Sequence, residues 1–80
     1  MRRFYFHLRG GELVTDDEGA ELPDVMAALR VGELGARELL ADAIKAGKET
    51  VPEAVIITDD HGREVDTVLF ATLLPRSLRK

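Results

Sequence analysis

An α+β fold is what this 80-residue sequence predicts: β-β-α-β-β, a four-stranded antiparallel sheet of two hairpins with one long helix packed on one face. Three observations predict it. Residues Phe4 to Arg9 alternate apolar and polar with a period of two, which is the signature of a half-buried strand. From Asp24 to Gly47 the apolar residues recur instead at helical spacing. After the helix, Ala54 to Thr58 and Glu64 to Phe70 are two β-rich runs bracketing the turn signal Asp59-Asp60-His61-Gly62.

In the first strand Phe4, Phe6 and Leu8 point one way and Tyr5, His7 and Arg9 the other. Gly10-Gly11 is a two-residue hairpin signal, so Glu12 to Thr15 is expected to pair back as a second strand. Asp16-Asp17-Glu18-Gly19 forms a polar loop, and Ala20-Glu21-Leu22 leads into the helix.

Pro23 stops the preceding segment, and Asp24 is placed as an N-cap whose carboxylate accepts from the first free amides and complements the helix dipole. Capping at Leu22 or Glu21, with Pro23 as the first helical residue, is the alternative start. Gly47 marks the C-terminal end, with Lys45 and Lys48 beside the last carbonyls. At ~100° per residue, Val25, Ala28, Leu29, Gly32, Ala36, Leu39, Leu40 and Ala43 share about 120° of arc, one apolar stripe. Its middle is small, Gly32 and Ala36, so the sheet is expected to pass close beneath that point. The opposite side carries Ala27, Val31, Leu34 and Ala41, flanked by Arg30, Arg37, Glu38 and Lys45. Val31 and Leu34 are three apart and adjoin on the helix surface.

Ala54 to Thr58 is apolar on both faces, which predicts an interior strand. Gly62 supplies the positive φ of the following turn. In the last strand Val65, Thr67 and Leu69 fall on one face and Asp66, Val68 and Phe70 on the other. Two readings stand for Ala71 to Lys80: a final helical turn before Pro75 that then frays as a tail, or a segment that docks on a partner. The chain is thus one domain, 1–80, with an ordered core of about 3–72 and a tail over 73–80.

A chain this short buries only about 60% of the surface its unfolded form exposes. It has no cysteine to add a crosslink, a thiolate nucleophile or a zinc ligand. Met1-Arg2-Arg3 is followed by an alternating run rather than an apolar signal segment, and no stretch approaches the ~20 apolar residues of a membrane span. A cytoplasmic setting is expected, without membrane contact. Net charge is −4 and the pI about 5.1, which runs against general phosphate-backbone binding.

The pieces Tyr5-Phe6-His7-Leu8-Arg9, Asp17-Glu18-Gly19 with Glu21-Leu22-Pro23-Asp24, the helix with Ala36-Arg37-Glu38-Leu39, and Asp59-Asp60, Gly62-Arg63, Val68 and Phe70 together resemble a family of short bacterial proteins described as a domain of unknown function. The resemblance spans roughly residues 4 to 70 and implies a small α+β domain. It implies no activity.

Candidate chemistry is sparse. Tyr5, His7 and Arg9 form a row spaced ~7 Å apart along one strand, fit in principle for an anion or for acid–base work. The bland reading is a polar face covered by solvent or a partner. No nucleophile adjoins His7, and Ser77, the only serine, lies in the expected tail. The acidic loop Asp16-Asp17-Glu18 lacks the alternating spacing and distal Glu of a calcium loop. Asp59-Asp60-His61 sits on one tight turn, where neighbouring ligands rarely converge. No catalytic residue, cofactor or metal is therefore expected. Because one helix covers one face of the sheet, the second face calls for company, and a homodimer is the expected state. The candidate contact residues are Tyr5, His7, Arg9, Val31 and Leu34. A non-enzymatic self-associating module that binds a further protein is the first reading. The second is a nucleic-acid-associated regulator, an antitoxin-like or β-sheet DNA-binding dimer using Arg2, Arg3, Arg9 and the basic tail.

Overall fold

The computed structural model describes residues 1–79. Its elements run β1 (Arg2–Arg9), β2 (Leu13–Val14), β3 (Ala20–Leu22), α1 (Val25–Lys45), β4 (Ala54–Thr58) and β5 (Glu64–Leu69), followed by 3₁₀ turns at Phe70–Leu73 and Arg76–Leu78. The class is α+β, with one helix on one antiparallel sheet.

The sheet has five strands rather than four, in the order β2-β1-β4-β5, with β3 also paired to β1. The additional strand is Ala20–Leu22, which the sequence shows only as a lead-in to the helix. Three residues are too few to display a period. They are strand because Arg2, Arg3 and Phe4 lie opposite Leu22, Glu21 and Ala20. Both β2 and β3 use the outer edge of β1, separated by the acidic loop. The expected second strand shrinks to Leu13–Val14. Its turn holds Gly10, Gly11 and Glu12, because Arg9 faces Leu13. That is one residue longer than Gly10-Gly11 alone, and neither glycine takes a positive φ.

Helix α1 is capped as its sequence predicts. Asp24 is extended, and its Oδ1 accepts from the Ala27 amide at 2.8 Å. At the other end Gly47 turns left-handed, at φ 69. Gly47 then donates to the Ile44 carbonyl and Lys48 to that of Ala43, the paired bonds of a Schellman ending.

The core is one cluster of Phe4, Ala28, Ala36, Val55, Ile57, Val68 and Phe70, with Phe6, Leu8, Leu22, Val25, Leu29 and Leu40 against its rim. Phe4 and Ile57 are the largest fully enclosed side chains. The close approach expected at the small stretch of α1 is present: a Cβ added to Gly32 would stand 2.9 Å from Ile57 Cδ1. Strand β4 is interior, between β1 and β5.

Two side chains depart from the expected faces. Leu39 stays 41% exposed, because α1 lies chiefly over β4 and β5 and leaves Leu39 overhanging an open groove beside β1. Val65 packs toward the core with Val68 although their spacing is odd, because the β4–β5 register slips between Ile57 and Thr58. A bulge of this kind moves every residue beyond it to the other face. The strand also ends at Leu69, and Phe70 opens the first 3₁₀ turn.

Candidate functional site

Two turns with the same spelling, Asp-x-x-Gly, organise the polar side of the molecule. In the first, Asp16 Oδ1 accepts the amides of Glu18 at 3.1 Å and Gly19 at 3.2 Å. In the second, Asp59 Oδ1 accepts those of His61 at 2.8 Å and Arg63 at 2.9 Å. Aspartate favours such turns because its short carboxylate reaches amides two or more residues on. Each turn ends on a left-handed glycine, Gly19 at φ 70 and Gly62 at φ 76.

Asp16 does more than close its own turn. Its Oδ2 accepts the Phe6 amide at 3.1 Å, at the one point on the outer edge of β1 between β3 and β2. Its backbone N–H donates to His7 Nδ1 at 3.0 Å. Burial opposes ionisation of this carboxyl, but the amides of Phe6, Gly19 and Glu18, aided by the nearby His7, outweigh burial and hold the pKa below the ordinary 3.8. The Asp59 carboxyl is lowered too, first by the Arg63 amide, then, against the cost of burial, by the His61 amide and the Arg63 guanidinium. Arg63 Nε meets Asp59 Oδ2 at 3.1 Å, and the Asp59 side chain is almost wholly enclosed.

The expected row on β1 is present. The rings of Tyr5 and His7 lie parallel, with centroids 6.4 Å apart. Arg9 extends the row with an exposed side chain, its Nε 3.8 Å from Glu53 Oε2. The sequence left His7 without a hydroxyl neighbour, whereas the fold brings Thr58 Oγ1 to 3.0 Å from its Nε2. These residues are 51 apart in the chain and meet through the β1–β4 register, so no local signal announces the pair. Because Nδ1 accepts the Asp16 amide, the neutral ring carries its proton on Nε2 and donates to Thr58. A base that activates a hydroxyl needs the reverse arrangement, a free Nε2 lone pair facing it. The pair as built is a clamp between strands.

Val31 and Leu34 stand where the helical spacing puts them, side by side on α1 and 42% and 57% exposed. They are not near Tyr5, His7 and Arg9, which occupy the face of the sheet away from the helix. The five candidate residues thus fall into two separate surfaces. Between α1 and β1 an apolar groove opens, lined by Phe6, Leu8, Val31, Gly35 and Leu39.

The basic residues near the N-terminus are engaged within the chain. Arg3 donates to the Glu18 carbonyl at 2.7 Å and to Glu21 Oε1 at 3.3 Å, while the Arg2 guanidinium lies over the Phe4 ring. At the other end Arg76 begins the second 3₁₀ turn, and Lys80 lies outside the described residues. Among the described residues no group of three or more His, Asp or Glu side chains could hold a metal ion, and no helix is long and apolar enough to cross a membrane.

A one-helix, antiparallel-sheet domain with internally tied polar turns is the class of protein that fold and surface define. The chain belongs to the family described as "Domain of unknown function (DUF6894)", whose model matches residues 3–71. No curated protein matches the chain. No solved structure matches it.

Proposed function

We propose that this chain is a small non-enzymatic module, bacterial and cytoplasmic, that self-associates as a homodimer and through the dimer engages a further protein. The observation that carries the reading is the exposure of Val31 and Leu34, 42% and 57%, side by side on the outward side of α1. Together with the neighbouring apolar groove they make a continuous apolar surface, of the kind that marks association rather than catalysis. The engagement of His7 at both ring nitrogens supports the non-enzymatic part of the reading. Arg3 and Arg9 lie beside Glu21 and Glu53, which weakens the nucleic-acid alternative.

Mass in solution by light scattering tests it. The expected result is a dimer for the native chain and a monomer for Val31→Asp/Leu34→Asp. A native chain that stays monomeric at high concentration removes the proposal. Labelled DNA or RNA at about 50 mM salt, where phosphate contacts are strongest, is expected to show no binding.

A further inference from the structure

We propose that His7 is a proton-operated latch: protonation of its ring in mild acid releases the acidic loop 16–19 from β1 and uncovers the outer-edge amide of Phe6. The latch is independent of self-association and rests on the geometry around one ring.

Its basis is which partners of His7 can reverse their roles. Nε2 meets Thr58 Oγ1 at 3.0 Å, and a hydroxyl both donates and accepts. Nδ1 instead takes the backbone N–H of Asp16 at 3.0 Å, a group that can only donate. The neutral ring satisfies both partners. The imidazolium carries a proton on each nitrogen, so its Nδ1–H confronts another N–H and the bond to the loop is lost.

The same residue offers the nearest relief. A charged His7 ring attracts the Asp16 carboxylate, which now sits at the strand edge with Oδ2 on the Phe6 amide at 3.1 Å. Phe6 and His7 are neighbours on β1, so the His7 ring stands off the sheet while the Phe6 amide points along it. To receive Nδ1–H the carboxylate rises out of the edge toward the ring, and the Phe6 amide is left bare. Phe6 lies in the gap between β3 and β2, so neither strand takes that amide instead.

The other charged groups around the ring are engaged elsewhere or exposed. On β1, Tyr5 stacks on His7, Arg9 lies beside Glu53, and Arg3 meets Glu21 of β3. Glu12, Asp17 and Glu18 are exposed. Beyond Thr58 on β4, the Asp59 carboxylate is turned to the amides of His61 and Arg63 and to the Arg63 side chain. Strand β2 brings only Leu13 and Val14, and α1 covers the opposite face of the sheet. Asp16 is thus the carboxylate placed to answer the proton.

The test is nuclear magnetic resonance on the ¹⁵N-labelled chain from about pH 8 to pH 5, the range in which an imidazole titrates. Asp16 stays ionised there, its pKa being below 3.8. At the upper end Nδ1 of His7 is expected to be the unprotonated nitrogen. As the ring titrates, the Asp16 amide resonance is expected to move with the midpoint of His7, and protection of the Phe6 amide from hydrogen exchange to fall about tenfold, the worth of one hydrogen bond. The amides of β4 are expected to keep theirs. His61, exposed on its turn, serves as the internal reference. His61→Gln is expected to retain the step in Phe6 protection and His7→Gln to abolish it, with urea denaturation confirming that both fold. A His7 ring that carries its proton on Nδ1 at pH 8, or stays neutral down to pH 5, overturns the latch. So does Phe6 protection that holds while His7 titrates, or a step that survives in His7→Gln.

Discussion

The backbone N–H of Asp16 points at Nδ1 of His7, 3.0 Å away, and so decides where the proton of that ring resides. Nε2 is left as the donor to Thr58 Oγ1, and one imidazole ties the acidic loop to the central strand. Replacing His7 with Phe keeps the ring's bulk and its stacking on Tyr5 but removes both bonds. The expected cost is about 1–3 kcal/mol, from two half-buried polar groups left without partners. Urea denaturation checks this, as a lower midpoint at an unchanged slope.

Asp16 is the more sensitive position. Asp16→Ala strips the acceptor from the amides of Phe6, Glu18 and Gly19 at once. A loss of about 2–3 kcal/mol is expected, since hydrogen bonds to a charged group are the stronger kind. Asp16→Asn keeps the shape and one acceptor oxygen, and is expected to lose less. The same urea series ranks the two.

Acid sensitivity follows from the lowered pKa values of Asp16 and Asp59. Each carboxyl has a folded pKa below its unfolded value near 3.8. The folded state binds fewer protons than the unfolded state in that range. The stabilisation is therefore complete above the unfolded pKa and disappears as pH falls through the folded one. Stability measured from pH 6 down to about pH 2 is expected to drop steeply below about pH 4, and Asp16→Asn/Asp59→Asn is expected to flatten that drop. An unchanged slope in the double variant would contradict this account.

The two mid-helix glycines are expected to behave differently. A Cβ at Gly35 meets nothing within 4 Å, so Gly35→Ala gains helix propensity and raises stability by about 1 kcal/mol. A Cβ at Gly32 would press on the fully buried Ile57, so Gly32→Ala sets the same gain against core strain of about 1–3 kcal/mol. Thermal melts should place the Gly35 variant above the Gly32 variant by more than about 1 kcal/mol.

Gly19 admits no side chain at all. Its φ is +70, and an added Cβ would lie 2.7 Å from the Phe4 carbonyl oxygen, which belongs to the backbone and cannot swing aside. Gly19→Ala is expected to cost about 2 kcal/mol or more. Gly47→Ala, with a similar φ and open space around it, carries only the conformational part of that cost. Paired denaturation curves separate the steric contribution from the conformational one.

Much of the fold could be read from residue pattern because it rests on local rules. Asp24 and Gly47 bound the helix through capping chemistry, and the alternation of Phe4 to Arg9 assigns the faces of β1. The apolar character of Val55 to Ile57 on both sides places β4 inside the sheet. What escaped reading depends on distant partners. Ala20–Leu22 is a strand only because Arg2 to Phe4 lie opposite, and Val65 changes face only because of a register slip against Ile57 and Thr58. The candidate surfaces divide in the same way. Helical spacing alone places Val31 and Leu34 together, whereas the tie between His7 and Thr58 needs the register of two strands far apart in the chain. The Asp-x-x-Gly spelling at Asp16 and Asp59 was the available sign of both turn clamps, and it is easily mistaken for a solvated run of acids.

The Asp16 carboxylate on the Phe6 amide has a further consequence for how this molecule behaves in a crowd. Strands left with bare amides recruit other strands, and that is how sheets grow into fibrils. On β1 the short gap between β3 and β2 would be such an invitation. A single negatively charged oxygen fills it, satisfying the amide while repelling any acidic newcomer. The loop that looks most expendable in the sequence thus closes the gap that β2 and β3 leave in the outer edge of β1.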